Sequence, residues 1–477
     1  MKDRLISALR AALGEKAVLT APEQLHCYSF DASFAAQLKP CLPDVVVQPS
    51  SPEDVAKAVR IAAELGVPVT PRGAATGQSL GCVPVRGGMV IDLSRLNRIL
   101  ELDADNLQVF AEPGVVHADL NAYLARYGLF FPPDPGSSRM CTIGGMVANN
   151  SRGMRAIKYG ATSEYVLGMD VVLADGQMIT TGSIGSRSLH SASGFELTKL
   201  FVGAEGLLGI IVRLRLKVLP LPPARGLTMA LFDRLENTGP ALLAVFRAGI
   251  IPSAVEILDS RCIQAANIYR PGLNLPEVEA MLLFEVDGNP PGVAYDAECI
   301  AKIVADYATQ VEWSTDPKRI NALWEGRSVI GAAVGAIRPG GVRVYAGEDI
   351  CVPITRVAEA LRRIQEIGDR HGIAVASYGH IGAGTIHAGL VGDPLNPDEV
   401  GRLEQVADEI NRLALELGGT VTGEHGVGVV RAVYMRQEHG PALDVMLRIK
   451  EALDPAGILN PGKVFACERA AARSQAE

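Results

Sequence analysis

Short apolar runs separated by polar turns, with one clear helical period among them, mark the first part of the chain. Val45–Val47 is such a run, and Ser50-Ser51-Pro52-Glu53-Asp54 follows it. A serine N-cap with proline at the first helical position predicts a helix start there. Val55, Val59 and Ala62 continue at helical spacing until Gly66, and Val67–Thr70 reads as a second strand, so Val45–Thr70 is a compact βαβ unit. Strands are also predicted at Met89–Leu93 and Leu107–Glu112, and a helix from His117 to Tyr127 closed by Gly128. Asp175-Gly176 is placed to turn a hairpin between Met169–Leu173 and Met178–Thr180. Met1–Gly14 has the pattern of a short amphipathic helix.

After Val218 the cluster Leu219-Pro220-Leu221-Pro222-Pro223 interrupts the pattern and predicts a domain boundary. Ala280–Glu285 and Val342–Tyr345 then read as strands among helices, Leu443–Leu453 as a helix and Asn460-Pro461-Gly462-Lys463 as a turn. Ala374–Tyr378 and Ile386–Val391 read as two strands separated by a glycine turn. In such a hairpin His380 and His387 flank the turn as cross-strand neighbours, with Cβ atoms roughly 4.5–5.5 Å apart, close enough to share a cation. Gly423-Glu424-His425-Gly426 adds a carboxylate and a third histidine. Two histidines and one carboxylate with a position left open form a catalytic metal-ligand set. The same spacing also suits a glycine-rich hairpin that carries two hydrogen-bonded histidines. Histidine is the commonest general base near neutral pH, so the cluster is a candidate site either way.

Composition narrows the partners. A chain of 477 residues with 48% hydrophobic and 21% charged residues is expected to be a soluble globular protein of two or three domains. A net charge of −8 with no basic run argues against nucleic acid. No apolar stretch reaches the roughly eighteen residues of a membrane span, and the N-terminus lacks the apolar core of a signal peptide. The eight cysteines are scattered without a CxxC pair. They suit reduced thiols in the cytoplasm and exclude an in-chain iron–sulfur cluster of the usual spacing.

Two loops have the character of anion sites. Pro71-Arg72-Gly73-Ala74-Ala75-Thr76-Gly77-Gln78-Ser79-Leu80-Gly81 is neither GxGxxG nor a P-loop. Its small residues expose backbone N–H groups that suit an anion nest, or simply a strand-to-strand turn. Pro132-Pro133-Asp134-Pro135-Gly136-Ser137-Ser138 is too rigid for a helix or central strand, and it leads into Thr142-Ile143-Gly144-Gly145-Met146-Val147-Ala148-Asn149-Asn150 and then Gly153. A small-residue helix start of this kind suits a polyanion.

The order Pro71-Arg72-Gly73, Gly114, Pro132-Pro133-Asp134-Pro135, Thr142-Ile143-Gly144-Gly145, Asn149 and Gly203-Ala204-Glu205-Gly206-Leu207-Leu208-Gly209 resembles the FAD-binding domain of the vanillyl-alcohol-oxidase-type flavoproteins. Gly379 to His387, Gly423-Glu424-His425-Gly426 and Asn460-Pro461-Gly462-Lys463 resemble one branch of them. That branch holds the FAD subunit of bacterial glycolate oxidase, the FAD-linked D-lactate dehydrogenases and D-2-hydroxyglutarate dehydrogenase. The resemblance spans about residues 40 to 465.

It implies an α+β fold: an N-terminal helical segment (1–40), a FAD-binding domain (41–220), a substrate domain with the metal site (221–440), a segment returning to the FAD domain (441–467) and a disordered tail (468–477). FAD would be held by Pro71 to Ser79, by Pro135, Gly136 and Ser137, by Thr142, Ile143, Gly144, Gly145, Ala148, Asn149, Asn150 and Gly153, and by Tyr159 and Gly160. Gly206 and Ile211 would lie against the adenosine side, with Glu205, Gly209, Ile210, Asn460 and Lys463 completing the site. Relatives with covalent flavin often carry a histidine in the first loop; Arg72 to Gly81 has none, so non-covalent FAD is expected.

The resemblance also assigns His380, His387 and Glu424 to one divalent cation, zinc first, with manganese or iron also fitting, and His425 to proton abstraction. Arg327, in Trp324-Glu325-Gly326-Arg327, matches the position that holds the substrate carboxylate, with Arg338 and Arg343 as alternatives and a plain surface arginine as the default. Ala383 and Thr385 depart from the aspartate and asparagine of many relatives, and Ala346-Gly347-Glu348 lacks the lysine that 2-hydroxyglutarate enzymes place before the aspartate matching Asp349. Glycolate or D-lactate is therefore favoured over D-2-hydroxyglutarate. Electrons would leave through flavin-like and iron–sulfur partner subunits or another acceptor, in a homo-oligomer or hetero-complex, cytoplasmic or peripheral on the inner membrane. Two other readings stand beside this one: a non-redox flavoprotein like alkylglycerone-phosphate synthase, and a subunit that mainly passes electrons within a complex.

Overall fold

Short strands buried on both faces predict a covered parallel sheet, and the first unit contains one. In the computed structural model, which describes residues 1–346 and 349–465, Val45–Val47, Met89–Asp92 and Val69–Arg72 pair in parallel. Val18–Leu19 adds an antiparallel edge beside Val45–Val47. The helix Pro52–Leu65 connects them, capped by Ser51, whose side chain accepts from the Asp54 N–H, and ended by Gly66 in the left-handed region at φ 63°. The strand expected at Val67–Thr70 begins at Val69, because the Val67 N–H closes the helix end on Ala62 O. Pro71 sits in this strand without breaking a ladder, since the strand is at the sheet edge.

A second, five-stranded antiparallel sheet in the same unit runs in the order Ile99–Asp103, Gln108–Ala111, Ile210–Lys217, Val166–Val172, Met178–Thr181. The last two are the expected Asp175-Gly176 hairpin, with Gly176 at φ 81°. Leu5 and Leu9 of the N-terminal helix Lys2–Leu13 pack with Val45, Val55, Val59 and Met89. The N-terminal segment therefore shares this core.

The other unit is built on an eight-stranded antiparallel sheet. Its order is Gln310–Ser314, Ala224–Phe232, Ala280–Gly288, Ala254–Asp259, Ala374–Gly379, Thr385–Gly392, Val342–Val344, with Asp349–Cys351 also pairing to Thr385–Gly392. The two units are residues 1–151, 161–221 and 424–477, and residues 152–160 and 222–423. Residues 152–160 make a brief first excursion into the second unit, and the longer crossing falls inside the proline cluster, between Leu221 and Pro222. The return comes at Glu424 instead of 441, because residues 425–428 are tied into the first unit. Glu205 accepts from the Val427 and Gly428 N–H groups, and the Ser79 hydroxyl lies within bonding distance of the carbonyls of His425 and Gly426. The 468–477 tail and the Gly347-Glu348 pair lie outside the described residues.

Candidate active site

In the 222–423 unit, four strands and one helix bring a cluster of charged and aromatic side chains together. Ala254–Asp259 is buried along all six residues, yet carries Glu256 in its middle. His387 lies on Thr385–Gly392, with Tyr378 as its Cα partner on one side and Asp349 on the other. The expected hairpin is present, but its register differs from the cross-strand pairing of His380 with His387. His380 instead begins the tight turn Ile381–Ala383 and reaches His387 through its ring. That turn closes at Gly384, φ 82°, where a Cβ would overlap the Val352 carbonyl. Arg327 comes from the last turn of the helix Pro317–Ser328, capped by Asp316.

The polar contacts form a chain. Glu256 is fully buried; its Oε2 accepts from Arg327 Nε at 2.6 Å, and its Oε1 lies 2.6 Å from His380 Nδ1. An ionised carboxylate only accepts, so Nδ1 donates, and in a neutral His380 the Nε2 then carries the lone pair. That Nε2 faces His387 Nε2 at 3.5 Å, with the rings at 84°. His387 Nδ1 lies 3.8 Å from Asp349 Oδ1, while Asp349 Oδ2 accepts from Thr422 Oγ1 and the Gly423 N–H. The Arg327 guanidinium lies 4.9 Å from the Tyr378 ring centroid. Burial alone would pull its pKa down; Glu256 and Tyr378 outweigh this and hold it up. Apart from Glu256, Arg327 has no hydrogen-bond partner among the described residues, so its outer NH groups can take a carboxylate. Of the two alternatives, Arg338 is committed to Glu399, and Arg343 stacks on Tyr345 and Tyr378.

Two ligand nitrogens on a tetrahedral zinc at about 2.0–2.1 Å are roughly 3.3–3.4 Å apart. The 3.5 Å Nε2–Nε2 separation matches that bite. A proton on one nitrogen or a cation between the two would satisfy the contact, and the donor set fits a divalent cation. Glu424 is the first residue of the segment that returns to the other unit, one peptide beyond Gly423. Its Oε1 lies 3.4 Å from His425 Nε2.

In the other unit, the Pro71–Gly81 loop, expected to hold FAD, runs close to the start of the helix Ile143–Asn149. A Cβ on Gly73 would overlap Thr142 Oγ1, a buried hydroxyl with no hydrogen-bond partner among the described residues. The carbonyl-rich turn at Pro135–Ser137 anchors the preceding loop, with Ser138 N and Cys141 N bonded to Pro135 O and Ser137 O. Several expected cofactor residues are scaffold in their side chains. Arg72 donates to the carbonyls of Phe30 and Cys27 and stacks on Tyr28. Ile210 belongs to the core, and Gly206 is required where a Cβ would overlap Pro71. Asn460 donates to the carbonyls of Gly81 and Glu205, and Lys463 to Val83 O and Asn460 Oδ1. Burial lowers the Lys463 pKa to about 8 and raises that of Glu205. These residues brace the loop from behind. Gly153, Tyr159 and Gly160 fall in the 222–423 unit, where Tyr159 Oη donates to Asp287.

Sequence reasoning missed Glu256 as a site residue, and Arg431, whose NH1 donates to Ser79 Oγ and Gly426 O. The signal for Glu256 was a single carboxylate inside the apolar run Ala254-Val255-Glu256-Ile257-Leu258.

Residues 43–182 match the FAD binding domain family, and residues 221–464 match the C-terminal domain of the FAD linked oxidases. The chain is 36% identical over 442 residues to the glycolate oxidase subunit GlcD of Bacillus subtilis (strain 168), covering 92% of each. It is 35% identical over 434 residues to a D-lactate dehydrogenase of Anaerostipes hadrus, covering 88% of this chain and 89% of that one. A solved 4-ethylphenol oxidase from Gulosibacter chungangensis shares the fold at a TM-score of 0.78 and 20% identity, over 97% of this chain and 96% of that one.

Proposed function

The chain belongs to the FAD-linked oxidases, an FAD-dependent oxidoreductase acting on CH–OH groups, and on that premise we propose that it oxidises a small 2-hydroxy acid, glycolate or D-lactate, to the 2-oxo acid with the help of a divalent cation. The observation that carries the proposal is the His380–His387 pair. Two ring nitrogens face each other at the bite of one cation, with a carboxylate fixing one tautomer. Glu424 is the third protein ligand in this reading. Zinc suits the nitrogen-rich set best, and manganese or iron also fit. The names of the relatives supply the substrate class, and Arg327 supplies the clamp for its carboxylate.

When bound, the cation supplies Lewis acidity at the substrate hydroxyl and the flavin supplies the hydride acceptor. The residues of the chain do the rest. Arg327 holds one end of the substrate and fixes its orientation. His425 takes the hydroxyl proton onto a ring nitrogen as the Cα–H leaves with its electron pair, which yields the 2-oxo acid. Thr142 and the backbone of residues 73–79 hold the flavin side of the reaction in place.

The relative from Bacillus subtilis is named as a subunit. We extend this to the present chain, which would pass its electrons to partner subunits. No helix among the described residues is long and apolar enough to cross a membrane. Dye-coupled turnover of the purified chain with glycolate and with D-lactate tests the enzyme reading. Turnover by the isolated chain is expected, and dye reduction only after partner subunits are added would favour the electron-passing subunit instead. For the flavin linkage, acid precipitation should leave the yellow colour in the supernatant; a yellow pellet would show covalent attachment.

A further inference from the structure

An ionised carboxylate in a fully buried strand is costly unless both oxygens are satisfied. Among the described residues Glu256 meets that condition with two partners, and both belong to the site: Arg327 on Oε2 and His380 on Oε1, each at 2.6 Å. Glu285 on the neighbouring strand provides a comparison. It is equally buried and bonds Arg155, Arg225 and Trp324, with Ser253 Oγ at 3.4 Å. Trp324 and Arg327 lie three residues apart on one helix, so Glu285 and Glu256 both anchor that helix to the sheet. Anchoring therefore does not distinguish Glu256. Its bond to His380 does.

We infer, on the basis of the function proposed above, that Glu256 is a positioning residue that joins the carboxylate clamp to the metal ligand. One oxygen orients Arg327 so that its outer NH edge remains for the substrate. The other keeps His380 in the Nδ1–H tautomer, so that the Nε2 lone pair faces His387. A glutamine at this position supplies one acceptor and one donor, so it satisfies either Arg327 or His380 and opposes the other. The clamp and the ligand would then lose their common reference.

The test uses the full chain with FAD bound and divalent metal removed, titrated with zinc against a chromophoric chelator. Glu256→Gln is expected to weaken zinc binding about 10- to 100-fold, and Glu285→Gln to leave it within threefold of wild type. Glu256→Asp, which keeps the charge but shortens the reach, takes the place of Glu256→Gln if the latter does not fold, and the same loss is expected. Zinc affinity of the Glu256 variant within threefold of wild type would overturn the inference. Equal weakening in the Glu256 and Glu285 variants would overturn it too, since that is what a purely structural role produces. A second readout does not need the metal: two-bond ¹H–¹⁵N spectra of histidine-labelled, metal-free protein. Wild-type His380 should report the Nδ1–H tautomer, and Glu256→Gln should lose it. A wild-type protein that binds no zinc would remove the metal reading alone. An Nε2–H tautomer at wild-type His380 would remove the role of Glu256.

Discussion

His425→Ala is expected to lower kcat by about 10²–10⁴, the range typical of losing a general base, while the protein keeps its full complement of FAD. The structure separates the two effects. It is the backbone carbonyl of His425, together with that of Gly426, that meets the Ser79 hydroxyl, and Arg431 bonds both Ser79 Oγ and Gly426 O. Glu205 takes the next two N–H groups, those of Val427 and Gly428. None of these contacts uses the imidazole. Truncating the ring therefore removes the proton acceptor and leaves the segment seated. Flavin absorbance per mole of protein and dye-coupled kcat, measured on the same preparation, read the two quantities. Turnover within twofold of wild type would remove His425 from the mechanism.

Arg327→Met is expected to act on both binding and stability. Losing a charge-assisted contact to the substrate carboxylate costs about 2–5 kcal/mol, roughly a 30- to 5,000-fold drop in kcat/KM, mostly through KM. The same change strands Glu256, which is fully buried, without its cation. Breaking a buried pair by removing one partner typically costs about 3–5 kcal/mol of folding stability. Arg327→Lys should divide these losses. A lysine restores the charge beside Glu256 and so much of the stability, but it lacks the fork that meets both carboxylate oxygens, so KM should remain high. Thermal melts and steady-state kinetics on the pair decide the matter. If Arg327→Met raised KM less than threefold, Arg343, which stacks on Tyr378 from the edge strand Val342–Val344, would become the better clamp.

Local signals in the sequence located several elements. The serine cap and Pro52 start a helix where expected, Asp175-Gly176 turns its hairpin, and the proline cluster coincides with one of the crossings between units. The candidate site was harder to read because its parts come from long-range pairing. Nothing near His387 in sequence indicates that Asp349 lies across the strand pair, or that Glu256, more than a hundred residues earlier, reaches His380. The histidine pair was visible, but its register was not, since a glycine-rich turn leaves register to the surrounding sheet. The cofactor loop shows the opposite difficulty. Arg72, Asn460 and Lys463 are expected to contribute to the FAD site, yet their side chains donate to protein carbonyls. A buried cation can hold a loop in shape as readily as it can hold a ligand, and sequence does not distinguish the two. The position of the return to the first unit was likewise hidden, because it depends on the Glu205 carboxylate finding the N–H groups of Val427 and Gly428.

The central claim is that this chain oxidises a small 2-hydroxy acid at a cation held by His380 and His387. Anaerobic mixing of the purified flavoprotein with glycolate, D-lactate, L-lactate and D-2-hydroxyglutarate, before and after treatment with a chelator, tests it directly. The yellow flavin band should bleach with glycolate or D-lactate, fail to bleach after chelation, and bleach again when zinc or manganese is restored. A band that bleaches with none of the four acids, or that bleaches equally well after chelation, would contradict the account.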